Sequence, residues 1–246
     1  MTNRTSREGT RIPAVQLSQL ADGKVQRIDT AELFGGRRVI LFALPGAFTP
    51  TCSTAHVPGY VARMKDFQDA GIDDVVCLSV NDPYVMEAWQ RSEKAEGVHF
   101  VADAFAEFTR EMGMSVDNRD AFLGTRSWRY SMLVDDGKIE KMFIEADVPG
   151  DPFEVSDADT MFKYLRPDQQ SVGPVFMLAR HGCPFCARAK AMLKEHNVPY
   201  EAVHLGDELT MMGVKAASGV AKVPQVFIDG KLIGGSEELA KFLEAR

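Results

Sequence analysis

Cysteine is scarce in this chain of 246 residues. Four are present, Cys52, Cys77, Cys183 and Cys186, and their spacing is uneven. Small secreted domains that depend on disulfides carry denser and more regular cysteines, so this pattern excludes a secreted disulfide framework. We therefore interpret the four residues as free thiols, either buried or reactive.

Long apolar runs are missing as well. No run approaches the roughly 20 residues that a membrane-spanning helix needs, which excludes a membrane segment. The first residues, MTNRTSREGT, are polar and lack the apolar centre of a secretory signal. From these two absences we expect a cytoplasmic protein.

The chain also lacks an excess of positive charge. It has 28 Lys and Arg against 35 Asp and Glu, a formal net charge of −7, and its basic residues are spread along the sequence. Nucleic acids and anionic membranes bind clustered positive charge, so we expect neither as a partner. The hydrophobic content of 45% is sufficient for a globular core.

Residues 166–174 divide the chain. This segment, RPDQQSVGP, has no hydrophobic periodicity and has a proline near each end, which is typical of a linker. We predict one domain over residues 1–165 and a smaller one over residues 175–246.

The first half shows an α/β pattern. Continuous apolar runs at 38–44 and 75–80 predict central strands, residues 1–36 predict a short hairpin, and 130–134 with 139–144 predict a second hairpin. Helices are predicted for residues 53–68, 83–96, 105–112 and 156–165. We expect Phe105 and Phe108 to share one side of the third helix, and Ser156 to cap the fourth.

The second half repeats this pattern on a smaller scale. Strands at 175–179 and 200–205 flank a helix at 184–196, which is a βαβ unit. A helix at 208–217, a hairpin of residues 225–228 and 231–233, and a final helix at 236–244 capped by Ser236 complete it.

Cys52 stands at the start of the first predicted helix, just after a buried strand. Free backbone amides and the positive end of the helix dipole favour a thiolate there. Cys52 is therefore a candidate nucleophile. Cys77 lies inside a strand among valines and leucines, where an inert buried thiol is the favoured interpretation and a resolving partner for Cys52 is the alternative.

Cys183 and Cys186 form a Cys-x-x-Cys pair at a strand-to-helix junction, which is a thioredoxin-like redox signature. Cys183, at the helix N-terminus, is the predicted nucleophile, and Cys186 can attack a mixed disulfide formed on it. Pro224 fits a cis-proline beside the pair, with an ordinary turn proline as the alternative. A zinc site would need a second ligand pair, so we expect no metal.

Cys183-Pro-Phe-Cys186, Lys222-Val-Pro224 and Gly234-Gly-Ser-Glu237 make the second half resemble a glutaredoxin. Lys222 stands where that family commonly has a threonine. The resemblance implies glutathione binding by Arg180, Phe185, Val223 and Pro224 and, near the γ-glutamyl end of the tripeptide, by Gly235, Ser236 and Glu237. For Arg180 the alternative interpretation is a solvated surface charge.

Pro45-x-x-x-Thr49-x-x-Cys52, together with Arg129, makes the first half resemble the peroxiredoxins, above all their fifth subfamily, which is also found fused to a glutaredoxin domain. The two resemblances imply two α/β domains of thioredoxin-like fold. Cys52 would then be the peroxidatic cysteine.

The chemistry of peroxide reduction needs these residue types. Arg129 supplies a permanent cation and donors for the leaving oxygen, and the Thr49 hydroxyl lies within reach of the sulfur. Pro45 can shield the sulfenic acid from further oxidation. Thr49 as a simple helix cap is the alternative. His56, one turn after Cys52, is interpreted as structural, because a thiolate needs no base.

The predicted function is a glutathione-dependent thiol peroxidase that reduces hydrogen peroxide and organic hydroperoxides and carries its own reductase domain. We expect no metal or flavin cofactor, glutathione as reducing co-substrate and the glutathione reductase system as an indirect partner. The family resemblance further implies a dimer or tetramer of identical chains. A glutathione-dependent disulfide reductase and a redox-regulated holdase are the alternatives.

Overall fold

The computed structural model describes residues 4–148, 150–167, 174–196, 198–206 and 209–244. They form two compact units, the first ending at Arg166 and the second beginning at Pro167. Most of the predicted linker, residues 168–173, lies outside the described residues, as does Glu208, where one helix was predicted to begin.

The strands of the first unit are named in chain order. They are β1 (Gln16–Ala21), β2 (Lys24–Asp29), β3 (Arg38–Ala43), β4 (Asp74–Ser79), β5 (His99–Ala102), β6 (Ser115–Asn118), β7 (Gly124–Ser127), β8 (Tyr130–Asp135) and β9 (Lys138–Ile144). Its helices are α1 (Thr30–Phe34), α2 (Val57–Ala62), α3 (Met64–Asp69), α4 (Pro83–Ser92), α5 (Glu107–Glu111) and α6 (Ala158–Leu165). A π-helical turn, Cys52–His56, precedes α2, and a short 3-10 turn, Arg119–Ala121, joins β6 to β7.

Seven strands form one mixed sheet in the order β2-β1-β5-β4-β3-β8-β9. Its centre is parallel, since β3 pairs with β4 and β4 with β5, and Phe42 lies opposite Cys77. Ile40 and Phe42 point into a core on one face, whereas Val39 and Leu41 point into a second core on the other. Burial on both faces explains why β3 is a continuous apolar run rather than an alternating one.

The segment predicted as one helix over residues 53–68 is interrupted. It consists of the π-helical turn, α2 and α3, with a break at Arg63, whose φ of −101° and ψ of 4° leave the helical region. The extra residue of a π turn lies at Cys52–His56 itself, and such turns occur often at functional sites.

Two further expectations, for helices α5 and α6, were wrong. Helix α5 begins at Glu107, after Ala106 in a left-handed conformation, so Phe105 points outward with 78% of its surface exposed while Phe108 is buried. The cap of α6 is Asp157, whose carboxylate accepts the Thr160 amide; Ser156 lies one residue earlier and has other partners. Aspartate and serine cap equally well, and the sequence pattern could not separate two neighbours.

Several short elements were not predicted. Helix α1, strand β5 and the two strands of the β6–β7 hairpin are each only four or five residues long, and β6 is made of polar or half-buried residues. Such segments have no clear hydrophobic period. Within the described ranges, no helix is both long and apolar enough to cross a membrane.

The second unit contains a four-stranded sheet in the order β11-β10-β12-β13. Its elements are β10 (Val175–Ala179), α7 (Pro184–Glu195), β11 (Tyr200–His204), α8 (Met211–Ser218), β12 (Gln225–Ile228), β13 (Lys231–Gly234) and α9 (Ser236–Glu244). Strands β10 and β11 are parallel, which confirms the βαβ unit. Helix α9 begins at Ser236, so this serine belongs to the helix and the predicted serine cap was wrong.

Candidate active sites

The loop between β3 and the π-helical turn is fixed by local hydrogen bonds. The Asn81 side-chain oxygen, beyond the end of β4, accepts the Ala47 amide at 3.0 Å. Thr49 donates its hydroxyl to the Gly46 carbonyl at 2.9 Å, and its own carbonyl accepts the Ser53 amide. Thr49 thus shapes the loop that leads into Cys52, and its hydroxyl does not cap the helix. Pro45 begins the same loop and is half-buried.

Cys52 is fully buried and faces a buried cation. The Nη1 atom of Arg129 lies 3.5 Å from the Cys52 sulfur, although the two residues are 77 positions apart. Arg129 immediately precedes β8, which pairs with β3, and only 1% of its surface is exposed. A guanidinium stays charged even when buried, so the sulfur lies beside a permanent positive charge.

Two further groups hold Arg129. Its Nη2 donates to the Asp151 carboxylate at 2.6 Å, and its Nη1 lies 3.1 Å from His56 Nδ1. The Phe153 ring packs 5.6 Å from the guanidinium carbon. A buried charge is costly without partners, and these contacts supply them.

His56 is neutral in this setting. Burial and the nearby charge of Arg129 hold the pKa of His56 well below its usual value, outweighing the hydrogen bond to the Ser156 carbonyl. Its ring contacts Arg129, which agrees with the prediction that His56 is not a catalytic base. The sequence did not indicate that His56 holds the arginine.

Asp151 was missed by the sequence reasoning. It belongs to a stretch of loop, 151–155, where an isolated acidic residue carries no local signal. Its pairing with Arg129 is visible only once β8 and that loop are brought together.

Cys77 lies in the same core cluster as Cys52. Burial, with a contribution from the nearby Cys52, raises the pKa of Cys77 well above its usual value. Such a thiol stays protonated at neutral pH, which agrees with the interpretation as an inert core residue.

The second thiol centre lies at the start of α7. Cys183 is the N-cap residue, its sulfur accepts the Cys186 amide at 3.3 Å, and it lies 3.8 Å from the Val223 carbonyl oxygen. The peptide bond between Val223 and Pro224 is cis, as predicted. The motif, the helix start and the proline are therefore assembled at one point.

The two sulfurs of this centre differ electrostatically. Burial raises the pKa of Cys183, but the net shift is downward. The pKa is lowered by hydrogen bonds from the Cys186 side chain and from the amides of Cys186 and Phe185, and by the charge of Arg180. Burial and the hydrogen bond with Cys183 raise the pKa of Cys186 to about 11. This order agrees with Cys183 as the nucleophile.

A cleft of about 350 Å³ lies beside these two sulfurs. Arg180, His181, Lys190 and His204 line it together with the cysteine pair. Lys190 Nζ is 2.9 Å from His204 Nε2, and the His181 and His204 rings stack at 4.2 Å. Arg180 therefore borders the cysteine pair, where the glutaredoxin resemblance implies it.

The remaining residues predicted to bind glutathione differ in how accessible they are to a ligand. Phe185 is exposed next to Cys183, whereas Ser236 is buried. The Gly235 amide, expected near the γ-glutamyl end, already donates to the Glu238 carboxylate at 2.8 Å. In the described ranges, no three His, Cys, Asp or Glu side chains are grouped so as to hold a metal ion.

Comparison with known proteins assigns a family to each of the two units. The family model described as Redoxin matches residues 7–162, and the one described as Glutaredoxin matches residues 175–233. Since relatives that match it over most of their own length are named peroxiredoxins, the chain is a peroxiredoxin of thioredoxin-like α/β fold with a glutaredoxin domain after it, and its reaction class is that of a peroxidase, an oxidoreductase.

More particularly, the chain is 49% identical to hybrid peroxiredoxin hyPrx5 of Haemophilus influenzae, over 97% of this chain and 99% of that protein. It is 42% identical to peroxiredoxin-2B of Arabidopsis thaliana, over 58% of this chain and 86% of that relative. A solved structure of reduced Prx3 from Vibrio vulnificus in complex with H2O2 is 40% identical, with a TM-score of 0.62, over 65% of this chain and 99% of that one. The chain belongs to the hybrid peroxiredoxins.

Proposed function

We propose that this peroxiredoxin reduces hydrogen peroxide and organic hydroperoxides with glutathione as its reductant, and that its glutaredoxin domain recycles Cys52. The observation that carries the proposal is the contact of Cys52 with Arg129 at 3.5 Å in one unit, together with Cys183 at the N-cap of α7 in the other, where its sulfur accepts the Cys186 amide. Reduced Prx3 of Vibrio vulnificus, which binds H2O2, supports the peroxide as substrate.

The first step is attack by the Cys52 thiolate on one peroxide oxygen. A sulfur–oxygen bond forms, the oxygen–oxygen bond breaks, and the second oxygen leaves and takes up a proton as water or alcohol. Arg129 Nη1, beside the sulfur, can donate to the leaving oxygen as its negative charge develops. Thr49 and Pro45 shape and shield the site, and Cys52 ends as a sulfenic acid.

Glutathione completes the cycle in three exchanges. Its thiol displaces water from the sulfenic acid and leaves Cys52 in a mixed disulfide with glutathione. Cys183 then attacks the glutathione sulfur of this mixed disulfide, which frees Cys52 and leaves glutathione bound to Cys183. A second glutathione attacks that disulfide, releases glutathione disulfide and returns Cys183 to the free thiol. In sum, one hydroperoxide and two glutathione molecules give alcohol, water and glutathione disulfide, so the cycle requires no metal or flavin.

The proposed glutathione site groups Arg180, Phe185, Val223, Pro224, Gly235, Ser236 and Glu237 around Cys183. The glutathione reductase system would regenerate the reductant. We further propose that the protein is cytoplasmic and that it forms a dimer or tetramer. Light scattering on the purified full-length chain would test the number of subunits.

A glutathione-coupled peroxidase assay on full-length variants tests the proposal. Cys52→Ser should abolish turnover, and Cys183→Ser should abolish glutathione-driven turnover while Cys52 still reacts once with peroxide. Cys77→Ser is the matched control and should keep activity. Unchanged glutathione-driven turnover in Cys183→Ser would contradict the relay.

A further inference from the structure

The Ser156 carbonyl is a shared acceptor inside the first unit. It lies 3.2 Å from His56 Nε2 and accepts the Tyr60 hydroxyl at 3.0 Å, and both side chains are fully buried. A carbonyl oxygen only accepts, so Nε2 must carry the imidazole proton. Nδ1 is then an acceptor, and it faces the Arg129 Nη1 donor at 3.1 Å.

This tautomer matters because Arg129 has only donors. If the proton were on Nδ1, or on both nitrogens, His56 would present an N–H to the guanidinium and the contact would be lost. The direction of the Ser156 carbonyl therefore decides whether His56 can hold Arg129 beside Cys52.

Ser156 does not lie in a helix or strand that would fix its carbonyl. It belongs to the segment 154–156, between β9 and α6. Because Asp157 caps α6, the Ser156 hydroxyl is available for another partner, and it donates to the Glu145 carboxylate at 2.7 Å.

Glu145 anchors the whole segment 154–156. Its carboxylate also accepts the amides of Glu154 at 3.0 Å, Val155 at 3.0 Å and Ser156 at 2.8 Å. Its side chain is buried with only 3% of the residue exposed. Burial raises the pKa of Glu145, but the hydrogen bonds from the Ser156 side chain and the three amides lower it overall, so the carboxylate is ionised.

The backbone of Glu145 is tied to the same region. Its amide donates to the Arg129 carbonyl at 3.2 Å, and its carbonyl accepts the Trp128 indole N–H at 2.9 Å. Glu145 thus links Arg129, immediately before β8, to the segment 154–156, whose Ser156 carbonyl contacts His56.

We propose that Glu145 is a positioning residue for the peroxidase reaction, acting through the 154–156 segment and the Ser156 carbonyl to fix His56 as the Nε2–H tautomer that holds Arg129 beside Cys52. Glu145 touches neither the sulfur nor the peroxide. The inference rests on the peroxidase activity alone and is independent of whether glutathione is the reductant.

Single-turnover oxidation of Cys52 by hydrogen peroxide in the full-length chain tests this without any reductant. In Glu145→Ala the four hydrogen bonds are lost, and we expect the oxidation rate to fall by up to about 100-fold, the loss that a misplacement of about 1 Å can cause. Glu145→Gln keeps an acceptor oxygen of the same shape without the charge, and should give a smaller loss.

Asp103 offers a matched control. It is equally buried, at 2% exposed, and accepts the amides of Phe108 and Thr109 at the start of α5. Asp103→Ala should lower stability in a thermal melt and leave the oxidation rate of Cys52 within about twofold of the unmodified chain. An equal loss of rate in Asp103→Ala would show a general structural effect and overturn the proposal.

The second readout is the ¹⁵N NMR spectrum of the His56 ring, assigned by comparison with His56→Gln. The unmodified chain should show a protonated Nε2 and an unprotonated Nδ1, and Glu145→Ala should show a mixture of tautomers. Should Glu145→Ala fail to fold, Glu145→Gln carries both measurements. A Glu145 variant that loses rate with an unchanged His56 spectrum, or that oxidises at the full rate, overturns the inference.

Discussion

Cys52 and Cys183 both stand where a strand gives way to a helix, yet their surroundings are built in different ways. The groups that lower the pKa of Cys183 all lie within three residues of it: the Cys186 side chain, the amides of Cys186 and Phe185, and the charge of Arg180. Cys52 faces a cation from 77 positions away, which is held in turn by His56 and by Asp151.

The difference follows from the chemistry that each thiol performs. Thiol–disulfide exchange needs a thiolate and an open approach, which a helix N-terminus provides locally. Peroxide reduction also needs a donor placed for the leaving oxygen, and a buried arginine provides it only if distant segments fix its position. The peroxide centre should therefore be sensitive to distant substitutions, and the glutaredoxin centre to neighbouring ones.

The largest effect should come from removing the distant cation. Arg129→Gln takes away the donor to the leaving oxygen, and we expect the single-turnover oxidation rate of Cys52 to fall about 10²- to 10³-fold, the usual cost of one such donor. Stopped-flow measurement with hydrogen peroxide gives the rate.

Arg63→Gln is the control for that measurement. Arg63 is also a buried arginine, but it pairs with Asp66 and Asp159. Its loss should reduce stability and leave the oxidation rate near that of the unmodified chain. A normal rate in Arg129→Gln would show that the two thiol centres do not differ in the way described.

A smaller but clear effect should separate Cys183 from Cys186 as pH changes. The pKa of Cys183 is lowered from its usual value and that of Cys186 is raised to about 11, so Cys183 should be the more ionised of the two thiols. Alkylation by iodoacetamide, mapped by mass spectrometry between about pH 6 and about pH 9, should label Cys183 before Cys186 throughout. Equal labelling of both cysteines at neutral pH would contradict the assignment of Cys183 as nucleophile.

The smallest effect concerns Glu238, whose carboxylate accepts the Gly235 amide. The γ-glutamyl end of glutathione is proposed to approach that same amide. Glu238→Gln removes a negative charge at the start of α9 and should lower the KM for glutathione by roughly twofold to fivefold, the range of a single charge at a helix end.

Glu244→Gln, at the far end of α9, is the matched control and should leave that KM unchanged. If Glu238→Gln raises the KM, Glu238 assists glutathione binding, and its contact with Gly235 is not a competing one.

The sequence predicts the Cys183 centre more completely than the Cys52 centre. The strands β3 and β4, the Cys183-Pro-Phe-Cys186 helix start and Pro224 follow from local apolar runs and spacing. Arg129 was predicted as a site residue only from the resemblance to the peroxiredoxins, because no neighbouring residue in the chain indicates that it contacts Cys52. The partnership of Arg129 with His56 and Asp151 had no sequence signal, since it depends on one backbone carbonyl and one loop aspartate meeting across the fold.

Serine 156 shows the limit at a single residue. The pattern Ser156-Asp-Ala-Asp159 correctly predicted a helix start, but it could not distinguish which polar residue caps it. The one-residue difference frees the Ser156 hydroxyl for Glu145, a residue that the sequence pattern did not single out.

The most direct test of the relay is the state of Cys52 in the full-length Cys183→Ser variant after one equivalent of hydrogen peroxide and excess glutathione. Intact-mass and peptide mapping should show glutathione bound to Cys52 and persisting, whereas the unmodified chain should return to the free thiol and release glutathione disulfide. A Cys52 thiol regenerated at the unmodified rate in Cys183→Ser would contradict the account.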